Sequence, residues 1–402
     1  MFSRMSFSAF SSVLTVSSVV FLCFAEQVTV VIMRFVLHAC VAMFVLAAAA
    51  GSAVAHPHPA EAKPIFPQAL APGDTIEIIA PAKYLDEKRV TLATKRLEEM
   101  GFKVRLPENL FRKKGFLGGS DEERASELMA AFADPEVKAI MPGTGGYGTT
   151  RLLDKLDYEV IQNNPKILVG FSDITALHIA INQGTGLVTF HSPLPEWGLG
   201  VDKNMSPFAA KWFWRAILAK SYRPASGASK EQMSVGYTIF TSPRDGHPDD
   251  VALFQDVPKP VTMVGGQAHG RLIGGNVSVL HAMMGTPYEI ETNGRILFLE
   301  DVGEAPYRVD RMLSTLRLAG KFDHVAGVVL GQFSPREKEA KWDDDQSIDD
   351  VLKDYFAKLG VPVLARFPLG HVRYNATLPV GAMVELDADA RTVRLLENPV
   401  KP

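Results

Sequence analysis

Cysteine is nearly missing from this chain of 402 residues: there are two, Cys23 and Cys40, and both fall near its start. If that start is a leader, the mature protein has none. A structural disulfide, a thiolate metal site and a cysteine nucleophile are then excluded together. A thiol-free chain also suits an oxidising compartment such as a periplasm. Excess charge of either sign is lacking too. Lys and Arg total 42 against 45 Asp and Glu, a formal net charge of −3, so no basic stripe implies a nucleic-acid partner. No G-x-x-x-x-G-K-[ST] phosphate-binding loop is present, and no G-x-S-x-G elbow.

Long apolar runs occur only before His56. Val13 to Phe24 is one; Val36 to Ala50 is the other, preceded by Met33-Arg34 and followed by Ala53-Val54-Ala55. A positive start, an apolar middle and a small-x-small ending describe a secretory signal peptide. The expectation is translation from Met33, cleavage after Ala55, and a periplasmic mature protein without a stable membrane span. Two membrane helices are the competing reading.

The rest divides by texture. Residues 56–71, rich in Pro and Ala, read as a flexible entry. From Pro72 to Pro193 short apolar runs alternate with helical periodicity. Thr75 to Ala80, Phe102 to Val104, Val137 to Met141, Ile167 to Phe171 and Leu187 to His191 are the strands, with helices over Val90 to Met100, Glu122 to Ala133, Leu152 to Gln162 and Ser172 to about Asn182. Such alternation predicts an α/β class with a doubly wound, mostly parallel sheet of Rossmann or flavodoxin type. In residues 194–268 the pattern weakens; Trp212, Phe213 and Trp214 lie in a short helical stretch, and the segment reads as a linker with an insertion. Residues 269–402 form a second α/β domain, with closing β-structure at Thr377 to Val380 and Met383 to Leu386.

Four segments carry candidate chemistry. Val169-Gly170-Phe171-Ser172-Asp173 puts a serine at a strand-to-helix turn, where unpaired N–H groups and the helix dipole suit an oxyanion. The competing role for Ser172 is a helix N-cap. Gly143-Thr144-Gly145-Gly146-Tyr147-Gly148 follows a strand and brings backbone N–H groups close to a ligand; Gly145 and Gly146, with the N–H of Asp173, are candidate oxyanion donors. Glu300 ends the apolar run Ile296 to Leu299, where a half-desolvated carboxylate needs a partner; Arg308 and Arg311 compete for it, and Asp301 and Glu304 are rival carboxylates. His371 follows Gly370 in a loop, and histidine is the default base near neutral pH. His178, His191, His247, His269, His281 and His324 are its competitors.

In this order the segments resemble the LD-carboxypeptidase family, the muramoyltetrapeptide carboxypeptidases. The resemblance runs from Pro72-Gly73-Asp74-Thr75 through Gly145-Gly146-Tyr147-Gly148, the Gly-Phe-Ser-Asp turn, Gly274-Gly275-Asn276, Gly285-Thr286-Pro287, Leu299-Glu300-Asp301 and Gly370-His371 to Pro379-Val380-Gly381. It implies a triad of Ser172 as nucleophile, His371 as base and Glu300 as the group orienting the base, without metal or cofactor. It also implies a small muropeptide substrate, with terminal D-alanine released from a tetrapeptide; a homodimer is compatible with it. Departures are Thr144, where relatives usually have Arg, and His191-Ser192-Pro193, where they have His-Gly-Pro. A related immunity hydrolase acting on a peptide–nucleotide antibiotic is one alternative, and a non-catalytic periplasmic muropeptide-binding protein is another.

Overall fold

The computed structural model describes residues 63–219, 257–334 and 346–402. The leader, residues 220–256 of the expected linker and insertion, and with them Cys23, Cys40 and His247, lie outside the described residues. Two sheets organise the rest.

The first is built from β1 (Thr75–Ile79), β2 (Lys103–Arg105), β3 (Val137–Pro142), β4 (Ile167–Gly170) and β5 (Thr189–His191). Their spatial order is 2-1-3-4-5, all parallel, which is the flavodoxin-like winding anticipated from the alternation. The strands read as unbroken apolar runs because both faces are covered: every residue of β4 is buried, and Ile76, Ile78 and Ile79 of β1 are fully enclosed. Helices α1 (Glu87–Glu99) and α2 (Asp121–Ala133) begin at Asp86 and Ser120, whose side chains accept from Arg89 N and Glu123 N. Glu123 answers Ser120 in a reciprocal capping box. Where one helix was expected over Leu152 to Gln162 there are two 3₁₀ turns and a short α3 (Tyr158–Asn163). Asp157 caps α3 and so starts a new helix instead of extending the old one.

The second sheet has the order β13-β12-β7-β8-β9-β10-β6. Its parallel centre is β7 (Gln267–Asn276), β8 (Ile296–Val302), β9 (Gly327–Ser334) and β10 (Val363–Ala365). Antiparallel β6 (Val261–Val264), β12 (Met383–Asp387) and β13 (Thr392–Leu395) finish it.

Three expectations are corrected. Residues 63–71 are not a flexible entry: Ile65 and Leu70 exchange backbone hydrogen bonds with Gly186, Val188, Ile217 and Ala219, and Leu70 is fully buried. The segment 194–268 is not simply a linker: the expected helical stretch is α5 (Pro207–Ile217), whose Phe208, Trp212, Phe213 and Ile217 are buried, and the segment also holds β6 and the start of β7. Third, β11 (Leu378–Val380) lies in the C-terminal half of the chain but pairs antiparallel with β5 on the edge of the first sheet. The boundary at residue 269 therefore does not separate two independent sheets, and one continuous core runs through both.

Candidate active site

The turn after β4 is the most constrained piece of backbone in the first sheet. Gly170 has φ +147°, Phe171 is extended, and Ser172 sits in the left-handed region at φ +63°. A non-glycine residue there costs on the order of 1–2 kcal/mol and persists only where its surroundings fix it. Those surroundings are visible. Gly170 exchanges hydrogen bonds with Ser192, receiving N–H from Ser192 and donating to its Oγ, and its carbonyl lies 2.9 Å from His178 Nε2. On the far side the buried Asp173 carboxylate accepts the N–H of Thr149, whose hydroxyl donates to the Asp173 carbonyl. Burial pushes the Asp173 carboxyl above its usual range.

Ser172 is not a cap. A 3₁₀ turn already includes it (Ser172–Ile174), with α4 (Thr175–Thr185) following directly, and no side chain caps that turn. The competing role weighed from the sequence is thereby removed. The Ser172 hydroxyl makes no hydrogen bond with another described residue. The glycine loop lies against it. A Cβ added at Gly145 would stand 3.0 Å from Ser172 Cβ, 3.3 Å from Oγ and 3.4 Å from the Asp173 nitrogen. Gly145 thus lies against the Ser172 hydroxyl and the Asp173 nitrogen, and a side chain at position 145 would fill that space, whereas a Cβ at Gly146 would meet the Lys83 side chain instead.

Glu300 comes from the second sheet. It is near the end of β8, fully buried, and its Oε2 lies 2.7 Å from His371 Nδ1. Neither Arg308 nor Arg311 takes it; Arg308 pairs with Glu304 at 3.6 Å. Gly370 explains how the histidine gets so close: at φ +109°, a Cβ there would sit 2.8 Å from Glu300 Oε2. The loop is held by Asn375, which accepts the N–H of Gly370, and by Ser334, which donates to the His371 carbonyl. The His371 ring also lies 4.7 Å, centroid to centroid, from that of Phe171, the residue just before Ser172.

The rival groups are occupied elsewhere. Asp301 accepts from Ser278 N and Oγ at the start of α6 (Val277–Ala282), and burial raises its carboxyl to about 6. His178 bridges Thr189 and Gly170, and burial lowers it to about 4. His269 pairs with Glu385 at an exposed edge. His191 is fully buried between Phe171 and Phe298, and both ring nitrogens lack a hydrogen-bond partner among the described residues. Desolvation, with His178 and His371 nearby, holds its pKa well below the usual imidazole value.

Asn276 is the residue whose role the sequence did not disclose. In register opposite Glu300 on β7, it donates from Nδ2 to both Glu300 and Asp301, while its N–H donates to Thr175 Oγ1 at the start of α4. It links the element that follows Ser172 to the carboxylate behind His371. The run Gly274-Gly275-Asn276 was the available signal: Gly275 packs so closely on Thr175 that a Cβ would lie 2.5 Å from its side chain.

With this geometry in view, residues 76–192 match the model of the LD-carboxypeptidase N-terminal domain, and residues 269–386 that of the LD-carboxypeptidase C-terminal domain. A probable murein peptide carboxypeptidase of Bacillus subtilis is 37% identical over 81% of this chain and 92% of its own length. A murein tetrapeptide carboxypeptidase of Pseudomonas aeruginosa is 30% identical over 78% of this chain and 93% of its own. Among solved structures, MccF in complex with glutamyl sulfamoyl guanosine superposes with a TM-score of 0.71 at 26% identity, covering 84% of this chain and all of that one.

Proposed function

The chain belongs to the LD-carboxypeptidase family, and from that premise we propose that it is a serine carboxypeptidase of peptidoglycan recycling, hydrolysing the L-to-D peptide bond that holds the terminal D-alanine of a muropeptide tetrapeptide. The observation that carries the reading is the buried Glu300–His371 pair, brought against the Ser172 turn by Phe171.

The mechanism follows from which atoms are engaged. His371 Nδ1 faces Glu300, so its proton resides there and Nε2 is left as the basic nitrogen. Ser172 attacks the scissile carbonyl as Nε2 takes its proton; Nε2 then gives the proton to the departing amine of D-alanine, and water repeats the cycle on the acyl-enzyme. Glu300, buried behind the ring, stabilises the imidazolium without taking its proton. The N–H groups of Asp173 and of Gly145 or Gly146 receive the oxyanion, each donor contributing roughly 3 kcal/mol to the transition state. A binding protein has no use for a desolvated carboxylate–imidazole pair beside a strained serine, which weighs against the non-catalytic alternative.

The likeness to MccF favours a second reading, hydrolysis of a peptide–nucleotide conjugate of the kind an immunity protein removes. Incubating the full chain separately with tetrapeptide and with an aminoacyl sulfamoyl nucleoside decides between them. Free D-alanine from the first is expected; turnover of the second alone selects the immunity reading. Export belongs to the same proposal, since a periplasmic site meets wall-derived peptides directly. N-terminal sequencing of the mature protein is expected to begin at His56, and a retained Met1 contradicts it.

A further inference from the structure

Beside the dyad lies a cavity of about 480 Å³, open to solvent. Phe171 and Val372, the chain neighbours of Ser172 and His371, form part of its wall, so it adjoins the reacting groups. Its apolar lining includes Pro193, Val201 and Met205. Its charged lining consists of Lys203, Arg373 and one carboxylate, Asp202.

The two cations have no ion-pair partner among the described residues. Arg373 only lies over the ring of its neighbour Tyr374, at 5.8 Å. Its backbone is fixed nonetheless: Ser206, the cap of α5, donates its hydroxyl to the Arg373 carbonyl at 2.9 Å. Phe208 of the same helix packs edge-on against Tyr374. The segment carrying Lys203 and the loop carrying His371 and Arg373 are therefore two walls held together, with two cations facing one space. An unpaired guanidinium on a fixed loop matches a carboxylate in a bidentate geometry that an ammonium does not reproduce.

Resting on the hydrolase reading above, we propose that this cavity is the substrate's carboxylate-recognition subsite, with Arg373 as its specificity-determining residue and Lys203 as a supporting cation. A carboxypeptidase must distinguish a chain end from an internal bond, and a charge aimed at the chain end does so. The carboxylate has two sources in a muropeptide, its C-terminus or an internal side chain, and Asp202 leaves room for a neighbouring ammonium.

The test measures binding by calorimetry to the full chain carrying Ser172→Ala, which binds without turnover. The probes are a tetrapeptide, the same peptide amidated at its C-terminus, and the same peptide amidated at its internal carboxylate. Adding Arg373→Gln is expected to weaken tetrapeptide binding about 10- to 100-fold, as befits a charge-assisted hydrogen bond. It is expected to leave unchanged the affinity for whichever amide lacks the recognised carboxylate, and Arg373→Lys restores part of the loss. Equal loss on all three peptides, no loss on any, or no tetrapeptide binding at all overturns the subsite. D-alanine release by the unaltered protein is read separately. Release combined with Arg373-independent binding removes the subsite and leaves the hydrolase; Arg373-dependent binding without release keeps the subsite and removes the hydrolase.

Discussion

At the scale of single residues, the site depends on groups that do not react. Glu300 is wholly buried, and its cost of desolvation is offset by His371 on one oxygen and Asn276 on the other. Glu300→Gln keeps the volume but offers His371 an amide with no charge, so the imidazolium loses its stabiliser and the favoured tautomer is no longer fixed. The expected outcome is a fall in kcat of about 10³- to 10⁴-fold with KM little changed. Steady-state kinetics on tetrapeptide check this; a rise confined to KM places Glu300 in substrate binding instead. The sequence marked Glu300 by its position after four apolar residues, but Arg308 and Arg311 were equally reachable on that ground. Only the fold shows that Gly370 lets His371 come within 2.7 Å while Arg308 turns to Glu304.

At the scale of elements, glycines at the end of β7 allow two strands and a helix to meet. A Cβ at Gly274 would lie 1.8 Å from the Phe298 carbonyl oxygen, and Gly274 has φ +143°. Gly274→Ala is expected to destabilise the protein by more than about 2 kcal/mol, through strain and the parting of β7 from β8. Because Asn276 and Glu300 are paired across that seam, activity is lost along with stability. Urea denaturation measures the first effect, and unchanged stability shows that the strands can move apart freely. Elements of this kind were legible from sequence where the pattern is local. The parallel strands declared themselves as apolar runs, and the 2-1-3-4-5 winding agrees with the α/β alternation. β11 was not, because nothing in Leu378-Pro379-Val380 indicates that its partner is β5, nearly two hundred residues earlier. Nor was the burial of α5, whose aromatic run reads equally well as a loose insertion until Leu70 and Tyr374 are seen packing near it.

At the scale of the whole molecule, buried imidazoles and buried carboxyls pull the response to acid in opposite directions. His178, lowered by burial to about 4, is neutral in the fold and charges readily when unfolded. Its contribution is complete above about 6.5 and is lost as pH falls towards 4, amounting to about 3 kcal/mol. Asp301, raised to about 6, acts in the opposite sense: its contribution is present below its unfolded value and is lost as pH rises through 6, at about 3 kcal/mol. The two act in opposite senses between pH 4 and 6; burial also raises Asp173, Glu127 and Glu196, which act with Asp301, whereas on the side of His178 stands His191. It too is held well below its usual value, by burial first and then by its histidine neighbours, and it also stabilises the neutral fold only above its unfolded pKa. His191→Leu, which sacrifices no hydrogen bond among the described residues, is therefore expected to raise Tm at pH 4.5 relative to pH 7, compared with the unaltered protein. A thermal-melt series of both proteins checks it, and an unaltered slope in the variant assigns the acid sensitivity elsewhere.

The claim on which the rest depends is that Ser172, strained at φ +63° against the glycine loop and next to Phe171, whose ring meets that of His371, is the nucleophile. Its most direct measurement is the rate of D-alanine release from muropeptide tetrapeptide by the unaltered protein and by Ser172→Ala, each with a thermal melt as a check on folding. The account predicts release by the first and a loss of at least about 10³-fold in the second, with the melting transition retained. Release at an unchanged rate by a folded Ser172→Ala protein contradicts it.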